Sequence, residues 1–166
     1  MLTILNQIRM LLLASWLGAA ILFSAVVAPT VFRVLRTFGL PNANEIAGTI
    51  VTRMLSVINT SGFILGLLLV ISAFAVERSY RQRSFILEIL MLLILSITTG
   101  LGEWVIAAKM HGLRAAMPLP IDQMPLNDPN RLAFAALHGY SVTALGIAII
   151  AALISFFVIA NRVKLN

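Results

Sequence analysis

Long stretches without a single charged side chain recur along this 166-residue chain. Met10 to Phe32 and Met54 to Val76 are each uncharged for 23 residues, and Leu132 to Asn161 is uncharged for 30 residues. A helix needs about 20 consecutive apolar residues to cross the hydrocarbon core of a bilayer. Each of these three stretches therefore predicts a membrane-spanning helix.

A further span is predicted over 84–108, although it contains two carboxylates. Ile89 to Gly102 is uncharged for 14 residues, and Glu88 and Glu103 bracket it within a longer apolar pattern. Carboxylates inside a bilayer cost free energy, so this span has the weakest signal. The chain is thus predicted to be one membrane domain, 1–166, with spans at about 8–32, 54–76, 84–108 and 132–161.

Composition supports an all-α four-helix membrane bundle. Hydrophobic residues make up 60% of the chain and charged residues 11%, which is too few charges to cover a water-soluble domain. The chain has no cysteine, which excludes a disulfide scaffold, cysteine-ligated metal sites and a thiol nucleophile. Its net charge of +6 is spread over short segments at both ends of the spans. That spread predicts anionic lipid headgroups as partners and argues against nucleic acid.

The first span resembles a signal peptide, but Pro29 would directly follow the apparent cleavage site, so an uncleaved span is predicted. An even number of spans places both termini on one side of the membrane. Lys and Arg number six on each side, and three of them crowd the turn 77–83. This density favours cytoplasmic termini in a bacterial inner membrane.

The segments between the spans carry their own signals. Pro29 is predicted to end or kink the first helix, with a short interfacial helix following it through Phe38. Asn42 is a candidate cap for the next helix. Residues 110–130 hold four of the six prolines and are predicted to form an irregular, semi-rigid loop.

Small residues recur at intervals of four along the spans. Such pairs allow membrane helices to approach closely, either within the bundle or between copies of the chain. Gly62 and Gly66 are the candidates for a dimer face, the alternative being packing inside the bundle. The pairs are Ala14 and Gly18, Gly62 and Gly66, Ser96 and Gly100, and Gly139 and Thr143.

Carboxylates within the spans are candidate functional groups. Glu88 is predicted to pair at the interface with arginines of the turn 78–83. Glu103 requires a partner from another helix, because Lys109, six residues on, lies on a different helix face. Arg33, Arg36, Arg53 and His138 are the candidates. A structural ion pair and a proton or cation site are both open.

His138, early in the last span, is the third candidate polar group. Its imidazole is suited to a structural hydrogen bond, to proton relay, or to ligation of a metal or haem. His111 is the only other histidine and lies on the same predicted side. No cofactor is predicted from this pattern. No phosphate-binding loop, nucleophile elbow or zinc-protease motif is present, so the chain is not predicted to be an enzyme.

Two motifs carry a family resemblance. Trp16-Leu17-Gly18, Phe23, Val27-Ala28-Pro29 and Phe32 resemble the first helix of the bacterial four-helix membrane proteins known as domain of unknown function 4149. Phe134 and Leu137-His138-Gly139-Tyr140-Ser141 are similar to the opening of that family's last helix. The family looks related to the eukaryotic transmembrane protein 205 and distantly resembles the copper-resistance D membrane domain.

The resemblance implies a four-helix architecture and importance for Pro29 and His138, and it implies no reaction. Trp16, Arg33, Arg53, Glu103 and Ser141 are the further polar or anchoring candidates. Three functions are therefore carried forward. The first is a structural or accessory subunit in a homo-oligomer or larger membrane complex. The second is proton, cation or metal handling by Glu103 and His138. The third is a haem- or cofactor-binding subunit.

Overall fold

The computed structural model describes the backbone of residues 2–76 and 82–164, and the side chains of residues 4–74 and 84–161. Every regular element in these ranges is helical, which confirms the predicted fold class. The α-helices are α1 (Leu2–Leu22), α2 (Ala28–Thr37), α3 (Ala43–Val76), α4 (Gln82–Gly100), α5 (Ala108–Ala116) and α6 (Pro129–Lys164).

Two π-helical segments join these helices into continuous rods. Phe23–Val27 connects α1 to α2, and Leu101–Ala107 connects α4 to α5. Four rods result that are long and apolar enough to cross a membrane: Ile4–Thr37, Ala43–Phe74, Ser84–Ala116 and Pro129–Asn161. The protein is therefore an integral membrane protein with four spans. Rods of 32 to 34 residues are about 50 Å long and exceed a roughly 30 Å hydrocarbon core, so their ends project from it.

Pro29 does not end the first helix, which is one of the two outcomes predicted from the sequence, and the predicted helix that follows is α2, continuous with the first span. Proline removes one backbone donor, and its ring clashes with the carbonyl four residues earlier. The preceding π-helical turn provides a wider register, in which the Ala28 N–H donates to the Phe23 carbonyl five residues back. Helical conformation therefore continues to Thr37.

The third rod continues beyond the predicted end of its span at residue 108, so the irregular loop begins at Met117 and not at Met110. Asp122 of this loop provides the side-chain cap of α3, the role predicted for Asn42. One Asp122 carboxylate oxygen accepts hydrogen bonds from the backbone N–H groups of Asn44 and Glu45, at 3.0 and 3.2 Å. The loop is thereby fastened to the beginning of the second span.

The four spans pack in ring order. α1 packs against α3 and α6, and α4 packs against the same two helices from the other side. The shared core is aliphatic and includes Leu13, Leu69, Leu92, Leu95 and Ile159, each at most 2% exposed. Outward-facing positions are also apolar, as the bilayer requires: Leu11, Val57 and Ile71 are about two-thirds exposed.

Glycines let α1, α3 and α4 approach closely. A Cβ atom at Gly62 would lie 2.7 Å from Cζ2 of Trp16, and one at Gly66 would lie 3.2 Å from the Leu92 carbonyl oxygen. The buried Trp16 indole donates a 3.0 Å hydrogen bond to the Ile58 carbonyl across the same contact. Gly62 and Gly66 thus pack inside the bundle, whereas Gly18 has no neighbour within 4 Å of a built Cβ.

Candidate functional site

A cavity of about 730 Å³ lies in the half of the bundle nearest the proline-rich loop. All four spans contribute to its wall: α2 through Phe32 and Arg36, α3 through residues 44–56, the third span through residues 103–114, and α6 through residues 134–141. Ile121 of the loop also contacts it. A void of this size lies within the range of small-molecule sites, roughly 300–1,000 Å³.

The cavity extends from the membrane boundary into the hydrocarbon region. The uncharged stretch of the first span ends before Arg33, and that of the second begins after Arg53, so these arginines mark the headgroup level. Ser56 lies three residues deeper on α3, and Glu103 lies 13 residues, about 20 Å, before the end of α5. The deepest polar groups of the cavity are therefore just inside the apolar layer.

Glu103 is the acidic group at the deep end. It occupies the π-helical segment of the third span, a type of distortion that recurs at functional sites. One carboxylate oxygen accepts a 2.6 Å hydrogen bond from the Ser56 hydroxyl, across helices. The other oxygen, Oε2, is buried and accepts no hydrogen bond within the described part of the chain. A buried acceptor without a partner costs about 1–3 kcal/mol, which a bound proton or cation offsets.

Polar contacts surround the outer end of the cavity. The Arg114 guanidinium forms a 2.6 Å ion pair with one Glu45 carboxylate oxygen and also donates to the Met117 carbonyl. Arg36 donates through Nε to the Asn44 side chain at 2.8 Å. With Asp122 capping the same helix end, these contacts hold the loop over the outer end.

Four of the five polar residues predicted from the sequence line this one cavity: Arg53, Glu103, His138 and Ser141. Arg53 and His138 are exposed and Ser141 is buried. The structure does not place Arg33 in the wall; this side chain is exposed on α2. Glu103 forms no ion pair in the described ranges; its partner is Ser56, not an arginine or His138.

The two histidines meet the same void. His111 on α5 and His138 on α6 are both exposed and both line it. No group of three His, Cys, Asp or Glu side chains suited to hold a metal ion occurs among the residues that were described. The oxygen donors at the deep end, Glu103 and Ser56, are hard ligands that suit protons and alkali cations.

Glu88 belongs to a second polar cluster, at the opposite end of the bundle. It is fully buried and forms an ion pair with Arg9, which also donates to the Asn6 side chain and to the Leu69 carbonyl at 3.1 Å. The predicted partners at 78–83 have side chains outside the described residues. Arg9 therefore faces the interior of the bundle and does not act as a headgroup-level charge.

Sequence reasoning missed Ser56, Glu45 and Arg114 as site residues. Serine hydroxyls within membrane spans usually bond the backbone of their own helix, so Ser56 is not a distinctive candidate from the sequence. Its spacing was a usable signal, because Ser56, Asn59 and Gly62 repeat every three residues and all face the third span. No comparable local signal links Glu45 to Arg114, which are 69 residues apart.

Fold and site together define a polytopic membrane protein with a polar cavity at one membrane boundary. A family model described as Domain of unknown function (DUF4149) matches residues 11–118, and the chain belongs to that family. The match covers the first three spans, including Trp16, Pro29 and Glu103, and ends before α6. No curated protein and no solved structure matches the chain.

Proposed function

We propose that this protein binds protons or small monovalent cations at Glu103, reached from the loop side of the membrane, and passes them through the bundle without chemical conversion. The observation that carries the proposal is the Glu103 carboxylate, which has one oxygen on Ser56 and the other buried without a partner in the described chain. His138 is the second titratable group of the deep half and relays protons between Glu103 and water.

Several features of the surroundings support this assignment. An ionisable group within a span is expensive and is by default a functional candidate. Here the carboxylate is held by a neutral hydroxyl, in contrast to Glu88, whose charge is balanced by Arg9. Below Glu103 the core is packed with Leu92, Leu95 and Ala148, so translocation requires the helices to move. A four-helix unit is thin for a conduction path, and an oligomer is part of the proposal.

The test is proton flux into liposomes that contain the purified protein and an internal pH dye, driven by a potassium diffusion potential. The same vesicles are assayed for ²²Na⁺ uptake. We expect Glu103→Gln to reduce the flux at least tenfold, because it removes the charge and keeps the shape. His138→Ala is expected to reduce proton flux alone. Ser56→Ala is also expected to reduce the flux, because it removes the hydroxyl that donates to Glu103. Ser24→Ala is its matched control, since the Ser24 hydroxyl donates only within its own helix, to the Ala20 carbonyl.

Helical content by circular dichroism must be unchanged in every variant for the comparison to count. Wild-type flux no greater than that of empty liposomes contradicts the proposal. Unchanged flux in both Glu103→Gln and His138→Ala contradicts it equally.

An accessory role within an oligomer or larger complex is the second candidate. It is supported by two small-residue pairs on exposed positions, Ala14 with Gly18 and Gly139 with Thr143. These pairs are not used inside the bundle, unlike Gly62 and Gly66, and small residues are the usual contacts between membrane helices. Native mass spectrometry from mild detergent tests this role. A heteromeric mass supports it, and a monomer contradicts both this role and the oligomeric part of the first proposal.

Haem or metal ligation by His138 stays a prediction, with His111 as the available second imidazole. An absorbance spectrum of the purified protein and metal analysis of the same sample test it. Placement in a bacterial inner membrane with cytoplasmic termini is likewise proposed from the basic residues near the turn 77–83.

A further inference from the structure

The cavity is much larger than a proton or bare cation requires. At about 30 Å³ per water molecule, 730 Å³ corresponds to roughly two dozen waters. Its middle zone is apolar, with Phe32, Met110, Phe134 and Ala135 in the wall. A void with apolar sides and polar groups at defined depths has the composition of an organic ligand site.

The charges in its wall are arranged by depth. Arg114 is neutralised by Glu45, and Arg36 is engaged by Asn44 through one of its nitrogens. Arg53 lines the cavity at headgroup level and has no hydrogen-bond or ion-pair partner among the described residues. Glu103 lies deeper, with its buried Oε2 unsatisfied by the described chain. The wall thus offers a cation at the level of the lipid phosphates and an anion below it.

We infer that the cavity binds the headgroup of a membrane phospholipid whose phosphate is followed by a primary amine. The phosphate is held by the Arg53 guanidinium, and the ammonium group reaches Glu103. A guanidinium binds phosphate oxygens through paired, charge-assisted hydrogen bonds. The ammonium group donates a hydrogen bond to Glu103 Oε2, and its positive charge balances the carboxylate.

The depth of the cavity favours a membrane lipid over a water-soluble molecule as the ligand. Arg53 lies at the boundary where phosphates of the surrounding bilayer reside, and its side chain is exposed while lining the cavity. On the loop side, α2 packs mainly on α3, while α6 packs on α1, α4 and α5. The loop, fastened to the beginning of α3 by Asp122, contributes Ile121 to the cavity wall at the aqueous end. The headgroup therefore enters sideways, and its acyl chains stay in the bilayer.

The experiment measures lipid retention by native mass spectrometry of the full chain in detergent, after exchange against equal amounts of phosphatidylethanolamine, phosphatidylglycerol and phosphatidylcholine. We expect phosphatidylethanolamine to be retained about tenfold more than the other two lipids, a ratio set by the ammonium hydrogen bond to Glu103. Arg53→Gln is expected to reduce retention of all three lipids about tenfold. Glu103→Gln is expected to abolish the preference and leave retention of phosphatidylglycerol unchanged.

Arg33→Gln is the matched control, since Arg33 lies at the same depth but outside the cavity. If Arg33→Gln reduces retention as much as Arg53→Gln does, lipids are attracted to basic residues in general and the inference is wrong. Equal retention of the three lipids by the wild-type protein overturns it as well.

Soluble phosphoethanolamine has the same phosphate and amine as the lipid headgroup, so it distinguishes a lipid ligand from a water-soluble one. If it displaces the retained lipid at millimolar concentration or binds where no lipid does, the ligand is a water-soluble phosphoamine and the membrane source is wrong. No displacement is the expected result. The assay applies no ion gradient, so a protein that retains the lipid but shows no flux contradicts the proposed function and leaves this inference standing.

Discussion

Glu103 and Glu88 both lie on the third rod, but their carboxylates have different kinds of partner. Glu88 is fully buried and is paired with Arg9, a residue 79 positions away in the chain. Glu103 has a neutral hydroxyl partner and an oxygen without one in the described chain. A paired buried charge contributes to structure, whereas an incompletely satisfied one at a cavity is available to a ligand. We therefore expect the loss of Glu88 to affect stability, and we propose the functional role for Glu103.

The Arg9–Glu88 pair is expected to dominate the effect of single charge deletions on stability. Glu88→Gln removes the carboxylate that balances a guanidinium only 1% exposed, which costs about 3–5 kcal/mol of the free energy of unfolding. Glu45→Gln is the matched control, because the Arg114–Glu45 pair is 28–30% exposed and its loss costs about 0–1 kcal/mol. Equilibrium unfolding in mixed micelles measures both. Equal losses would contradict the assignment.

Gly62 is expected to tolerate no side chain. In Gly62→Ala the new methyl lies 2.7 Å from the Trp16 ring and 2.9 Å from Cγ2 of Thr99, so α1 and α4 must both shift. Overpacking of this kind costs about 1–3 kcal/mol. Gly18→Ala is the control, since its methyl meets nothing within 4 Å. A thermal midpoint that falls for Gly18→Ala as much as for Gly62→Ala would show that helix packing is not the cause.

At the scale of elements, two π-helical segments occur near the loop-side ends of the first and third rods. The first precedes Pro29 and provides the register in which proline continues a helix. The second contains Glu103, which begins a row with Ala107, His111 and Arg114 along the cavity wall. Both distortions lie in the half of the bundle that contains the cavity.

The hydrogen bonds that Asp122 accepts from the beginning of α3 are expected to hold the loop in place. Asp122→Ala removes three hydrogen bonds between the loop and the beginning of α3. We expect amide hydrogen exchange over residues 117–128 to become at least tenfold faster, because local opening no longer breaks these bonds.

Asp128→Ala is the control variant for Asp122→Ala. Asp128 caps α6 locally, accepting from the N–H groups of Asn130 and Arg131, so its loss costs about 1 kcal/mol without releasing the loop. Exchange that is equally fast in both variants would show that the loop is held by something other than Asp122.

At the scale of the whole molecule, the two ends of the bundle differ. Toward the termini, the described residues form the aliphatic core and the Arg9–Glu88 cluster, and the loop end contains the cavity. A ligand therefore has access from the loop side. This asymmetry gives the orientation of the protein in the membrane a functional meaning.

The absence of cysteine makes that orientation directly measurable. We expect Asn127→Cys in the exposed loop, and a cysteine appended after Asn166, to be labelled from opposite sides by a membrane-impermeant maleimide, because the fourth span lies between the two positions. Labelling of both from one side would contradict the four-span topology. Labelling of the Asn127 cysteine from outside intact cells would support cytoplasmic termini.

The sequence predicts most of the residues that line the candidate site, but it does not predict which of them are in contact. Glu103 and His138 are predicted because ionisable groups in apolar spans are costly, and Arg53 and Ser141 as polar or anchoring residues expected near Pro29 and His138; all four line one cavity. Arg33 is predicted on the same ground as Arg53 and lies outside the cavity wall, because the sequence does not show how each helix is rotated. The α3 cap was assigned to Asn42 on local grounds, and Asp122 provides it from about 80 residues away.

The sequence by itself determined the number of spans, their approximate positions and the membrane environment, because each depends only on how many apolar residues follow one another. Only the tertiary structure decided which polar groups meet. Ser56 and Glu103 are 47 residues apart, and Arg9 and Glu88 are 79 apart. Their contact depends on the rotation and register of packed helices. The rotation and register are set by close contacts, such as that between Gly62 and Trp16, and by the π-helical turns. Each π-helical turn shifts the position of every side chain that follows it.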